Sequence, residues 1–380
     1  MNVLMVLGSF EIGGADTTAL RLVRCLREAG GYRFTVAPCR REGPLEEAFR
    51  EAGAAVVAPL GRWSWDPSGV VRAAGLVHGG ETDVLLVVDP LRNGLAWSLL
   101  GSLASGRRVA RVLWCHAPPG GEAGRYAGRV ALWRAAGLLD AVVCVSQSQR
   151  RELLATPELR RPSRPRGRRC RTPVIPNGID LARFAAARSA VESDGASGGR
   201  RRPTRTVVQV ANAGPCKDHD TLLRAAAMLG GRDDVRLLLV GRGTSGPQMR
   251  RRVRGLGLAG RVTLAGERQD VPELLAEADI GVLASRAETF GVAVLEYLAA
   301  GCAVVATDLP ALRELIRSGI EGVLVPPGDP GRLAGAIARL LDDDVLRARL
   351  AAAGRRHAKH YGAVRMADRF DRLLRSLLGR

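Results

Sequence analysis

Lysine is nearly missing from this chain. Only Lys217 and Lys359 occur, so its basic character rests on arginine. Aromatic residues make up 4% of the sequence, too few for strands that stack nucleic-acid bases. No apolar run reaches the roughly 18 residues of a membrane-spanning helix, and Asp89, Pro90 and Arg92 interrupt the nearest candidate. The seven cysteines fall singly, without zinc spacing, and several, such as Cys144 and Cys302, lie in apolar runs. They read as small core residues of a reducing compartment rather than as a disulfide frame. Met1 to Gly8 has neither a basic flank nor a small-residue cleavage site, so it reads as a first strand, not a signal peptide.

What is present suits two globular domains. The chain has 380 residues, 46% of them hydrophobic, enough for two cores. It carries 57 basic against 38 acidic residues, a net charge of +19. The first 185 residues hold 26 basic and 16 acidic, a balance of +10, so the excess is densest in the first half. Such a field favours anionic partners: a phospholipid surface, a phosphorylated substrate or, without any specific module for it, nucleic acid.

Short apolar runs alternate with helical patterns throughout. Strands are expected at Asn2 to Leu7, Phe34 to Ala37, Ala55 to Pro59, Val84 to Val88, Val109 to Trp114 and Ala141 to Val145. The second half repeats the theme at Thr206 to Val210, Leu237 to Val240, Val262 to Ala265, Ile280 to Ala284 and Ala303 to Ala306. This is the pattern of parallel βαβ units, an α/β fold. In such sheets ligands lie beyond the carboxyl ends of the strands, where loops feed helix N-termini with free N–H groups.

The most informative stretch runs from Ser285 to Gly301, between two expected strands. Glu288 falls in its loop and Glu296 in its helix, which should begin near Phe290 or Gly291. Gly291 lets a ligand approach the backbone closely. Read alone, the two carboxylates are better explained as a solvent-exposed Glu before a helix and a second Glu on its polar face. Yet Glu-x7-Glu enclosing Phe290-Gly291, then Ala299-Ala300-Gly301 and Ala303 to Asp308, resembles the nucleotide-sugar signature of the family 4 retaining glycosyltransferases. Similarity to that family extends over most of the chain, with gaps at 157–172 and 185–204.

The resemblance implies a GT-B fold, two facing Rossmann-like domains with parallel sheets. It implies that Glu288 contacts the donor sugar, Glu296 the nucleotide ribose, and the amides of Phe290, Gly291, Val292 and Ala293 the diphosphate. Lys217 matches a cation that clamps the diphosphate, whereas Asn212 stands where the family usually has an arginine. Arg242, in Gly241-Arg242-Gly243, and Arg286 are the nearby candidates to compensate. Gly13 and Gly14, which read alone mark a turn after the first strand, gain weight because the family places this loop at donor phosphates or acceptor. His116 closes the strand ending at Trp114, and the resemblance places it near the sugar ring. Ser146 and Ile175 to Asp180 match further landmarks, and Gly266-Glu267-Arg268 opens a loop that in the family helps hold the base.

The expected organisation is an acceptor-side domain over 1–184, a flexible linker over 185–205, a nucleotide-sugar domain over 206–360 and a C-terminal helix over 361–380 that crosses back. Two stretches look loose: Pro157 to Pro173, rich in Arg and Pro, and Ser189 to Arg205, rich in Gly, Ser and Arg. The implied reaction is sugar transfer, with retention, from a UDP- or GDP-type donor to a hydroxyl on a lipid, glycan or small metabolite. A donor phosphate oxygen assists proton removal, and neither metal nor cofactor is needed. The expected setting is cytoplasmic, with a peripheral contact to an anionic membrane. Two alternatives share the fold: a sugar-nucleotide epimerase, and a non-catalytic binding or scaffold protein, the latter suggested by Asn212.

Overall fold

A computed structural model describes residues 1–39, 43–61, 66–88, 94–116, 130–134, 136–155, 170–196, 204–230 and 232–380. They form two compact units, Met1–Gly178 with Ala363–Arg380, and Ile179–Gly362.

The first unit runs β1 (Asn2–Leu7), α1 (Gly14–Glu28), β2 (Arg33–Pro38), α2 (Leu45–Glu51), β3 (Ala55–Val56) and α3 (Ser68–Gly79). It continues with β4 (Val84–Val88), α4 (Gly94–Ala104), β5 (Ala110–Cys115), β6 (Ala141–Cys144) and α5 (Gln147–Ala155). The second unit opens with α6 (Leu181–Ala196), β7 (Arg205–Val210), α7 (His219–Met228), β8 (Val235–Val240), α8 (Pro247–Gly255) and β9 (Val262–Gly266). Then come α9 (Val271–Ala276), β10 (Ile280–Leu283), α10 (Val292–Ala300), β11 (Ala303–Thr307), β12 (Gly322–Val325), α11 (Pro330–Asp342) and α12 (Asp344–Ala358). The last helix, α13 (Ala363–Leu378), belongs to the first unit, where it packs on α1 and β5.

Each unit holds one six-stranded sheet, ordered β3-β2-β1-β4-β5-β6 and β12-β11-β10-β7-β8-β9. All strand pairs are parallel. Helices cover parallel strands on both faces, which is why these strands read as continuous apolar runs rather than alternating ones. Leu4, Val6, Leu85, Leu113 and Val142 are buried in one core, and Val207, Leu239, Val282, Val305 and Ile337 in the other. In both sheets the winding reverses beside the first strand, between β1 and β4 and between β7 and β10. At these switch points successive loops part and leave a crevice.

The structure differs from the sequence reading in a few places. Helix α6 extends to Ala196, across ground read as linker from 185 and as loose from Ser189. Its alanine-rich start favours helix, and it packs on α9 and α10. Strand β12 was not expected from the sequence. It pairs along β11 and is only four residues long. Strand β3 is shorter than expected, ending at Val56. Residues 157–169 and 197–203, inside the stretches read as loose, lie outside the described residues.

Candidate active site at the carboxyl ends of the strands

In the second unit, the loop after β7 and the loop after β10 leave the switch point together. Gln209, fully buried in β7, joins them: its Nε2 donates to the Lys217 carbonyl at 3.4 Å, and its Oε1 accepts from Ala284 N at 3.1 Å. Arg286 N donates to the Cys216 carbonyl at 2.8 Å. A buried glutamine in an apolar strand was the signal available in the sequence for this bracket, since a buried amide needs partners for both ends.

On this frame Lys217 and Glu288 meet. Lys217 Nζ lies 2.5 Å from Glu288 Oε1, which also accepts from Ser285 Oγ at 2.7 Å. The Glu288 side chain is only 8% exposed while that of Lys217 is 34% exposed, so the ammonium is the end that faces solvent. The two residues that the resemblance assigns to phosphate and to sugar thus pair with each other in the structure.

A second ion pair braces the same loops. Asp218 adopts the left-handed conformation, φ 44° and ψ 52°, unusual for a residue with a side chain. Its buried carboxylate caps α7 by accepting from Thr221 N at 3.3 Å and Thr221 Oγ1 at 2.7 Å, and it receives Arg286 Nε at 2.8 Å. Sequence reasoning missed this contact, because a carboxylate at a helix start carries no mark of a partner far along the chain.

Asn212 does not leave an empty corner. Its side-chain oxygen accepts from Arg242 N at 2.9 Å, and Ala213 N donates to the Arg242 carbonyl at 2.8 Å. The exposed Arg242 therefore springs from backbone pinned to Asn212. Gly241 makes this possible: at φ 136°, an added Cβ would stand 2.3 Å from the Ala211 carbonyl oxygen.

Helix α10 starts at Val292, one to two residues later than expected, after Gly291 at φ 91°. An alanine Cβ at Gly291 would meet Leu312 Cδ2 at 2.4 Å. The amides of Val294 and Leu295 turn back to the Gly291 carbonyl at 3.0 and 3.4 Å, while those of Val292 and Ala293 have no backbone acceptor among the described residues. Two free N–H groups at the positive end of a helix suit an anion. Phe290 is 3% exposed and sets its ring edge-on to Tyr361, 6.1 Å between centroids, so it anchors the loop in the core. Glu296 is half-buried in the second turn of α10.

Two aspartate triplets with the spacing of metal motifs, Asp218-His219-Asp220 and Asp342-Asp343-Asp344, are otherwise engaged. Asp220 pairs with Arg252, Asp342 with Arg232, Asp343 caps α12 and Asp344 pairs with Arg205. No cluster of three or more metal-ligating side chains occurs among the described residues.

In the first unit, Gly13 precedes α1 at the switch point of its sheet, with φ −151°, and Gly14 begins the helix. Neither conformation requires glycine. His116 follows β5, its ring 4.8 Å from that of Trp114. Burial pushes its imidazole down to about 3, so it is neutral near pH 7.

A doubly wound sheet that gathers a lysine, a buried carboxylate and free helix-start amides at its switch point defines a nucleotide-using α/β enzyme. The chain belongs to the glycosyltransferases: residues 12–183 match Glycosyltransferase Family 4 and residues 204–343 match Glycosyl transferases group 1. A phosphatidyl-myo-inositol mannosyltransferase of Mycobacterium leprae is 29% identical over 367 residues, 93% of this chain and 90% of that protein. A D-inositol 3-phosphate glycosyltransferase of Salinispora tropica is 35% identical over 226 residues, 55% of this chain and 45% of that protein. Among solved structures, Anabaena HepE in complex with UDP and glucose gives a TM-score of 0.81 at 23% identity, over 99% of this chain and 100% of that one. Sucrose-phosphate synthase from Thermosynechococcus elongatus gives 0.74 at 21%, over 100% and 99%. These structural likenesses establish the GT-B fold.

Proposed function

We propose that the second unit binds a nucleoside diphosphate sugar of the UDP or GDP type, and that the enzyme transfers the sugar to an acceptor hydroxyl with retention. The observation that carries this reading is the Lys217–Glu288 pair on two braced loops, beside the free amides of Val292 and Ala293. Lys217, Arg242 and those amides hold the diphosphate, where they stabilise the negative charge that grows as the glycosidic bond breaks. Glu288, released from Lys217, accepts from sugar hydroxyls, and Glu296 accepts from the ribose. Gly291 and Phe290 shape the loop that presents the amides. A donor phosphate oxygen takes the acceptor proton on the face the leaving group departs from, so no metal is required. For the first unit we assign His116 as a neutral hydrogen-bonding group for a sugar hydroxyl, and Gly13 and Gly14 as backbone open to phosphate or acceptor.

The named relatives act on an inositol phospholipid and an inositol phosphate, and this chain is strongly basic. Both favour a phosphate-bearing acceptor, membrane-borne or soluble. No helix among the described residues is long and apolar enough to cross a membrane. The test is incubation with labelled UDP- and GDP-sugars and either phosphatidylinositol vesicles or D-inositol 3-phosphate. A glycosylated product with retained anomeric configuration, lost in Glu288→Gln, is expected. Donor binding without turnover on any acceptor would favour the scaffold reading, and donor conversion without acceptor the epimerase.

A further inference from the structure

A second concentration of positive charge lies away from the carboxyl ends of the strands, at the β6 edge of the first sheet. β6 is the edge strand. Residues 171–175 return beside it: Val142 N donates to the Arg171 carbonyl at 2.8 Å, Cys144 N to the Pro173 carbonyl at 3.0 Å, and Ile175 N to the Cys144 carbonyl at 2.9 Å. This run covers an edge that would otherwise offer unpaired backbone groups. Between it and α5 opens a pocket of about 420 Å³ lined by Arg134, Arg150, Leu154, Cys170, Arg171 and Thr172. That volume is in the range of small-molecule sites.

Half of this lining is arginine. Arg150 on α5 is held by its Nε, which donates to the Thr172 carbonyl at 2.8 Å, so its two terminal nitrogens are left to point elsewhere. Arg171 is tied by Nη1 to Ser376 Oγ on α13 at 2.7 Å. Neither has a carboxylate partner among the described residues. Asp140 influences the lining residue Cys170 and accepts from Arg111 N at 2.8 Å. Guanidiniums gathered around one pocket repel each other, and two of these are pinned and cannot swing apart. A phosphate relieves that repulsion and matches the forked donor geometry of arginine.

We propose that this edge pocket binds a phosphate group, presented by an anionic phospholipid headgroup or by a soluble phosphate ester, at a site separate from the donor site. It lies beside the start of β6, where Arg171 bridges Ala141, whereas His116 follows the far end of β5. Its occupation does not depend on the nucleotide reading.

The test uses the full chain, the variant Arg150→Gln/Arg171→Gln, and the control Arg107→Gln/Arg108→Gln. The control removes the same charge from exposed residues elsewhere on the first unit. Binding of inorganic phosphate is read by calorimetry. Flotation at low salt is read with vesicles of phosphatidylglycerol and phosphatidylcholine in equal parts, against phosphatidylcholine alone. The pocket variant is expected to lose at least about tenfold in phosphate affinity, the worth of one charge-assisted hydrogen bond, while the control stays within about twofold. If vesicles bind and phosphate competes with them, the source is a headgroup. If phosphate binds but vesicles do not, it is a soluble ester. Equal losses in both variants, or no phosphate binding by the wild type, would overturn the proposal. Should the double variant not melt cooperatively, Arg171→Gln compared with Arg107→Gln gives the same contrast, because both residues are exposed.

Discussion

Glu288 and Lys217 illustrate how one contact can hold two roles in reserve. The salt bridge keeps a nearly buried carboxylate from standing alone, which would cost several kcal/mol, and it must open for both groups to reach a ligand. Lys217→Ala is expected to raise the dissociation constant for a nucleoside diphosphate by about ten- to a hundredfold, the loss of a charged hydrogen bond. Glu288→Gln should behave differently. Nucleoside diphosphate binding holds or tightens because Lys217 is released, while kcat for transfer falls by about a hundredfold or more. Weaker nucleotide binding in Glu288→Gln would contradict the assignment of that residue to the sugar. Arg242 and Asn212 should act as one unit: Asn212→Ala and Arg242→Gln each weaken nucleotide binding, and the double variant is little worse than Arg242→Gln alone. Additive losses, measured by calorimetry, would mean that Asn212 does not work through Arg242.

Helix α10 and the loops that feed it show what a sequence can reveal about an element and what it cannot. The apolar run before it, the glycine at its start and the small residues at its end all marked a strand, loop and helix, and the register came out within two residues. What the sequence hid were the contacts between segments distant along the chain: Gln209 with Ala284, Asp218 with Arg286, Asn212 with Arg242. Each is a polar group whose partner is set by sheet order, and sheet order follows from packing, not from local pattern. The same holds for α6, whose packing on α9 and α10 depends on segments far along the chain. Gly291→Ala must adopt a left-handed backbone and displace Leu312, so it should destabilise the protein by roughly 1–3 kcal/mol in urea unfolding and blunt nucleotide binding. Asp218→Asn keeps the cap geometry but loses the charge on Arg286. It is expected to raise KM for the donor more than it lowers the melting temperature, and the reverse order would mark Asp218 as structural only.

Across the whole molecule, most of the strands, the two-sheet α/β architecture and the family could be read from apolar runs and one signature, while the course of the C-terminal helix was set by its long apolar face. Met366, Phe370, Leu374 and Leu377 are buried in the first unit, with Phe370 edge-on to Trp114 at 4.6 Å. Buried histidines make this fold sensitive to acid. Burial lowers His116 to about 3 and also lowers His219. Both are neutral in the folded and unfolded chain above about pH 6.5, and below it the unfolded chain takes up the proton first. Stability should therefore fall as pH drops from 7 to 5, by up to about 1.4 kcal/mol per pH unit for His116, with His219 acting in the same direction. His116→Asn is expected to show a shallower fall in urea denaturation, and an unchanged slope would show that His116 is not buried neutral in solution.

The most direct test of the account is calorimetric titration with uridine, guanosine and adenosine diphosphates and their sugars, on the wild type, Lys217→Ala and Glu296→Ala. Selective binding of one nucleotide series, weakened in both variants, is the result expected. Binding to no member of the panel, or binding that neither substitution changes, would contradict the donor site at the carboxyl ends of β7 and β10.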